Sequence, residues 1–437
     1  MTVRALSVVV VGLVLGVGSG SRPCLPVPAG RVAAGPSVAI GETGYPVPAG
    51  GVFTVTGRGW GHGQGMSQHG AQGAALRGIQ GTGILNFYYP GTVPALLPAG
   101  DRMRVAVTEL AGTSVAVLAG PGLAIRDGAA GPVYRLPAGR TSWRVLLGGA
   151  GYRLQGLVAG RGWVGTPFGG HPTLAGPVQF TGRSNQRAVL PDGRTWVLDG
   201  TLTAVRAGLD PAGGAGRLVA VNTVPTEAYV AAVTVRESPS WWRPAALRAQ
   251  AVAARTYAAY RRAGAAPTAS YDLCNTTACQ VYRGRAQYDR GGRLLADLPL
   301  SVRVAAASTA RQIRTYGGKP IYAAFSSSNG GWTVADRWVP YLPAKPDPND
   351  ALGDNTVYRW TATLAASTLQ RCFPAVGKLT SLVVVSRDGH GEWGGRLLSV
   401  RLDGIRAGVP SRVTVTGAEV RRCGVLRSTW FAVTRPA

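Results

Sequence analysis

The chain has 437 residues, enough to bury a sizeable core and to form two or three domains. Its formal net charge of +26 is nearly all arginine, with only three lysines. A surface of that sign attracts polyanions, but no Lys/Arg block or recognisable nucleic-acid module is present, so no nucleic-acid partner is expected.

At the N-terminus, Arg4 precedes an apolar run over residues 5–17, and small residues follow at 18–21. This is the pattern of a secretory signal peptide over 1–21, and the run is shorter than the roughly 20 residues of a membrane span. The Ser-Arg-Pro before Cys24 lacks the small and aliphatic residues of a lipoprotein cleavage site. The expectation is a secreted, extracytoplasmic protein without a lipid anchor. Its polyanionic partner would then be a cell-wall polymer or acidic lipid head groups. Residues 22–50, rich in Pro, Gly and Ala, read as a flexible lead-in.

The segment 51–100 opens with a strand over 52–56 and continues into GRGWGHGQGMSQHGAQGAA at 57–75. Glycines at 57, 59, 61, 63 and 65 permit positive φ and a close approach of the backbone to a ligand. A helix is expected to start near Ser67. His62 and His69 add titratable groups, but their spacing of seven matches no common metal site. Residues 101–216 alternate in short apolar runs such as RMRVAVTEL, TSVAVLA and TSWRVLL, punctuated by Gly/Pro clusters. They predict an all-β module with no evident chemistry of its own.

From 217 onward the pattern changes. Residues 218–221 form a short strand, and Pro225 then opens a helix with Glu227 in its first turn. Val230, Val233 and Glu237 share one face of that helix. Glu237 stands at its C-terminal end, before Pro239, where the backbone dipole disfavours an anion. Partial burial and that dipole both push a carboxyl pKa upward, as a general acid at neutral pH requires. A second helix runs from Pro244 to about residue 262 and ends before Gly264, with Leu247, Ala251, Ala254 and Ala258 as its apolar stripe.

Next comes YDLCNTTACQVYRG at 271–284. In an exported chain Cys274 and Cys279 read first as a local disulfide, with zinc held by the two thiolates as a weak alternative. Cys372 and Cys423 are the other candidate pair, and four cysteines allow three pairings. The stretch 305–333 reads as helix, strand, a turn at Gly317–Gly318, a strand over IYAAF and a polar SSSNGG loop. Beside that loop, Trp332 and Trp338 offer aromatic faces to sugar rings. Strands over 379–388, 396–405 and 411–417 and the closing STWFAV finish the fold, and Glu392 reads as a turn residue. The fold class is therefore α+β: β-rich with a catalytic helical hairpin and an inserted all-β module. The expected division is 1–21, 22–50, 51–100, 101–216 and a core over 217–435.

Several of these stretches, VNTVPTEAYV, the Glu of VRESPSWW, ALRAQAVAARTYA, YDLCNTTACQVYRG, IYAAFSSSNGGWT and the GHG-containing stretch, together resemble the SpoIID/LytB family (stage II sporulation protein D). The resemblance covers most of residues 53–433. It implies a peptidoglycan lytic transglycosylase with Glu237 as catalytic acid and base, acting on glycan strands and possibly on strands stripped of stem peptides. Substrate contacts carried over by it are His62, Gln68, Gln250, Arg255, Tyr257, Gln280, Tyr282, Ser326, Ser327 and Thr333. Some members bind zinc near the Cys274 motif with a nearby His, which is lacking here between His171 and His390. No cofactor is expected. A cell-wall amidase is a further expected partner. The GHG motif follows the core signature in the sporulation proteins and precedes it here, an order that resembles a permutation and requires the chain ends to be close in space.

Overall fold

The computed structural model describes residues 42–149, 151–168, 171–207 and 216–434. The expected signal peptide, Cys24 and most of the lead-in lie outside the described residues. Strands dominate a mixed α and β chain, in agreement with the α+β class. The helices are α1 (Gln68–Leu76), α2 (Gly81–Tyr88), α3 (Thr226–Glu237), α4 (Pro244–Ala263), α5 (Leu300–Ser308), α6 (Ala366–Cys372) and α7 (Gly417–Cys423). Among the described residues, no helix is long and apolar enough to cross a membrane.

The alternation seen between 101 and 216 builds two facing sheets. In Ser114–Leu118, Val115 and Val117 are buried while Ser114, Ala116 and Leu118 face outward, as a period of two dictates. One sheet has seven strands and the other eight. A single apolar core lies between them, with Val115, Ile125, Trp143, Phe180 and Trp196, and it extends to Tyr229 and Val230 of α3.

The β-rich stretch is not a closed insertion. Leu273–Cys274 adds to the seven-stranded sheet, and Ala286–Tyr288 and Leu294–Ala296 add to the eight-stranded one. The reason lies in Leu218–Pro225. It pairs on one side with Arg102–Gly112 and on the other with Thr201–Arg206, then runs straight into α3. The sheets therefore serve as the platform on which the α3–α4 hairpin stands.

A second core joins α1, α2 and α4. Ala71, Ala74 and Ala75 of α1 and Ala245, Ala246, Ala249 and Ala253 of α4 are buried in it, small side chains that permit close helix packing. A third core closes the C-terminal part. A four-stranded sheet and the three-stranded sheet Arg359–Ala365, Val52–Arg58, Phe431–Thr434 share it with α6 and α7. The pairing Thr54↔Thr434 puts Val52–Arg58 beside Phe431–Thr434.

Two expectations need correction. The end of the lead-in is an edge strand, Thr43–Pro46, bonded antiparallel to Lys378–Arg387. The segment 321–324 joins no ladder: the Ala323 and Ala324 N–H groups donate to the Ile321 and Tyr322 carbonyls, both at 2.8 Å, and only Phe325–Ser326 pairs, in parallel with Met66–Ser67.

Candidate functional site

Glu237 closes α3, and Ser238 leaves the helix in extended backbone. Its carboxylate meets two neutral donors. Gln68 Nε2 donates to Oε2 at 3.3 Å, and the Val281 backbone N–H donates to Oε1 at 3.2 Å. The residue keeps some surface open to solvent. Burial of the carboxyl group raises its pKa, and the two hydrogen bonds oppose that rise without cancelling it. The negative end of the α3 dipole acts in the same direction as burial.

Each donor is held from behind. Gln280 precedes Val281 and is buried between the hairpin helices: its Oε1 accepts from Tyr229 Oη of α3 at 2.7 Å, and its Nε2 donates to the Ala254 carbonyl of α4 at 3.3 Å. The disulfide Cys274–Cys279 closes the turn just before it. Gln68 is the first residue of α1, whose N-cap Ser67 accepts from the Gly70 N–H at 3.0 Å. The helix begins where the GHG-containing loop ends, as expected.

That loop is pinned by the SSSNGG loop and by two aspartates that sequence reasoning passed over. Asp350 accepts from Ser67 Oγ, from Ser328 Oγ at 2.7 Å and from the Gly330 N–H at 2.8 Å. Asp347 accepts from Tyr88 Oη at 2.6 Å and Asn329 Nδ2 at 2.7 Å. Burial raises the pKa of both carboxyls against these hydrogen bonds. The glycines permit close approach, here between two segments of the protein. A Cβ on Gly61 would meet Ser326 Cβ at 2.5 Å, and one on Gly65 would meet the Ala324 carbonyl oxygen at 2.1 Å.

The carried-over contacts separate into groups. Gln68 touches Glu237 directly, and Tyr257 is buried on α4, where burial raises the pKa of its hydroxyl. Gln280 acts behind Val281. Gln250 is buried on α4, one turn before Ala254, with neither amide atom bonded within the protein. Ser326 Oγ accepts from the Gly63 N–H at 3.2 Å, and the Ser327 carbonyl accepts from the His69 N–H at 3.0 Å, so both serines belong to the loop-to-loop contact.

Three others are bonded within the protein. Arg255 is fully buried and pairs with Glu227 at 2.5 Å, away from Glu237. Tyr282 is buried and donates to Asn222 Oδ1 at 2.6 Å. Thr333 donates to the Pro343 carbonyl at 2.7 Å and accepts from the Lys345 N–H at 3.0 Å.

His62 has no bond to Glu237. Its Nδ1 accepts from the Gln64 N–H at 3.0 Å, which needs an unprotonated nitrogen. Burial of the ring, and then Arg421 and Arg396, pull its pKa down to about 4. Much of the residue is exposed, and the Nδ1 hydrogen bond by itself favours the neutral ring.

Both disulfide candidates are formed, Cys274–Cys279 and Cys372–Cys423. The sulfurs that the zinc alternative would use are therefore bonded to each other. Among the described residues, no group of three or more His, Cys, Asp or Glu side chains could hold a metal ion. Glu392, read as a turn residue, also binds Arg58 at 2.7 Å and Arg359 at 2.6 Å.

Residues 214–316 match the family described as SpoIID, Stage II sporulation protein. The chain carries a SpoIID domain. That domain supplies Glu237, Gln280, Val281 and the whole α3–α4 hairpin, whereas Gln68 and the two pinned loops lie outside it. The chain is 33% identical over 177 residues to Stage II sporulation protein D of Bacillus subtilis (strain 168), covering 37% of this chain and 51% of that protein. It is 33% identical over 139 residues to the protein of that name from Bacillus amyloliquefaciens, covering 30% and 40%. It is also 36% identical over 143 residues to the Amidase enhancer of Bacillus subtilis (strain 168), covering 31% and 17%. The matches thus span about half the length of these relatives or less.

Proposed function

We propose that this protein is an exported lytic transglycosylase that cleaves peptidoglycan glycan strands at the MurNAc–GlcNAc bond with Glu237 as its single acid and base. The observation that carries the reading is a recessed carboxyl group held by two neutral donors, with its pKa raised by burial. Such a group is protonated where an ordinary glutamate is not, and it can give its proton to a glycosidic oxygen.

In the reaction, the Glu237 proton passes to the bridging oxygen as the C1–O bond breaks. The sugar's own 6-hydroxyl then attacks C1, and its proton returns to Glu237 as the 1,6-anhydro ring closes. No water and no second carboxylate are consumed, unlike the carboxylate pair of most hydrolytic glycosidases. The step requires no cofactor. The unbonded amide of Gln250 is suited to take up polar groups of the sugar, since a buried amide without partners carries a cost that a ligand would relieve.

The test is mass spectrometry of the products from glycan strands stripped of stem peptides, with the native protein beside Glu237→Gln. Anhydro-ended fragments from the native protein alone are expected. Reducing-end products, or cleavage by the variant at the native rate, would overturn the mechanism. The similarity to the Amidase enhancer supports a second reading, recruitment of a cell-wall amidase. Amidase stimulation that survives Glu237→Gln undiminished, without any glycan cleavage by the native protein, would favour it.

A further inference from the structure

We propose that the exposed aromatic side chains of one groove, Tyr260, Tyr316 and Trp338, are a stacking surface for successive sugar rings of a glycan strand. The proposal rests on the reading that glycan strands are the ligand, and it places the part of the strand that extends beyond the reacting bond.

The path of rings starts behind the groove at Tyr257, buried on α4. Tyr322 follows, with ring centroids 5.9 Å from Tyr257 and 5.4 Å from Tyr260. Tyr341 Oη accepts from the Tyr322 N–H at 2.9 Å and leads to Tyr316, whose ring centroid is 5.5 Å away. Tyr260, Tyr316, Lys319, Trp338, Pro340 and Tyr341 line one open groove. The rings turn outward along this path. Tyr257 is buried, Tyr260 and Tyr316 are 40% and 46% exposed, and Trp338 is 71% exposed.

Trp338 is presented on a braced loop. Its N–H donates to Asp336 Oδ1 at 3.1 Å, the Val339 N–H donates to the Asp336 carbonyl at 2.9 Å, and the Asp336 N–H donates to the Leu342 carbonyl at 2.9 Å. The Arg337 guanidinium lies 4.7 Å from the centre of the Trp338 ring.

The chemistry of the exposed side chains selects the occupant. Of the aliphatic lining residues Ile321 is buried and Val339 half-buried, so the most accessible side-chain faces are the rings of Trp338, Tyr316 and Tyr260. A hexopyranose has the matching form, with C–H groups on its faces and hydroxyls at its rim. A docked helix or strand would instead need exposed Leu, Ile or Val. Lys319 in the groove and Arg337 on Trp338 add positive charge that complements the carboxylates of a cell-wall glycan.

The experiment measures binding of size-fractionated, peptide-free glycan strands to the Glu237→Gln protein, so that nothing is cleaved. Trp338→Ala and Tyr316→Ala are added to it singly and together. Each exposed ring is expected to contribute about tenfold to the affinity for long strands and little to that for a disaccharide. The melting temperature should not change. Cleavage is assayed in parallel on the same variants with Glu237 intact. Unchanged affinity for long strands in the double variant overturns the stacking surface, even if the native protein cleaves. Length-dependent binding lost in the double variant supports the stacking surface, even if no protein cleaves, and then only the cleavage reading falls. Absence of any glycan binding overturns both. Loss of amidase binding in the double variant, with glycan affinity intact, also overturns the stacking surface.

Discussion

Helix α3 carries a glutamate at each end, and the two do different work. Glu227 stands in the first turn, where the helix dipole favours a negative charge, and it holds the guanidinium of Arg255 and the Arg311 N–H. Glu237 stands in the last turn, where the dipole disfavours that charge, and it meets an amide and a backbone N–H. One carboxylate is paired with a buried guanidinium. The other is left without one, and burial raises its pKa. The same side chain, ten residues apart on one helix, is a fastening at one end and, in the proposed reaction, an acid at the other.

The largest expected effect is on chemistry at the Glu237 end. Glu237→Gln should abolish anhydro-product formation and leave the fold intact, and a wild-type rate would erase the distinction between the two glutamates. The converse lies at the other end. Glu227→Ala should lower stability by about 3 kcal/mol in denaturant unfolding. This is the lower end for a broken buried pair, because Glu227 is 37% exposed while Arg255 is left buried and unpaired. If Arg255 instead contacts substrate, the variant will keep its stability and lose glycan affinity.

A third prediction separates stability from activity. Cys274 and Cys279 are five residues apart and Cys372 and Cys423 are 51 apart, so loop entropy gives about 2 and about 4 kcal/mol respectively. Cys372→Ser with Cys423→Ser should therefore cost the more stability. Cys274→Ser with Cys279→Ser should cost the more activity, since the turn it frees leads to the Val281 amide.

The smallest change is Gln68→Ala. Loss of one neutral hydrogen bond, about 1 kcal/mol, should slow cleavage about fivefold. Because that bond favours the charged form, its removal should move the alkaline limb of the pH–rate profile upward, the direction that tests the assignment.

The stability of Glu237→Gln has its own sign. A carboxyl whose folded pKa is raised holds its proton to higher pH than the unfolded chain does, so the folded state loses stability as pH rises from the unfolded value through the folded one. Glu237→Gln should thus melt at or above the native temperature at neutral pH and converge with it in acid. Asp347 and Asp350, also raised by burial, should leave part of the slope in place.

Local features were legible because their causes are local. Ser67 could be read as a helix start, Pro244 and Gly264 as the limits of α4, and Glu237 as a carboxylate facing a helix end and an apolar face. The alternation between 101 and 216 announced strands, yet their partners were hidden. A period of two says which face is buried and nothing about whether Leu273–Cys274 or Ala286–Tyr288 will complete the sheet.

The site divides in the same way. Sequence determined that a glutamate at the end of α3 would be recessed. Only the tertiary structure decided that Arg255 turns to Glu227, that Gln68 from the far side of the chain reaches Glu237, and that Asp347 and Asp350 are buried as the pins of two glycine-rich loops. Those outcomes depend on which groups are left in water and which find donors when distant segments meet. Burial and pairing of a polar group are properties of the assembled surroundings, and no single stretch of chain contains them.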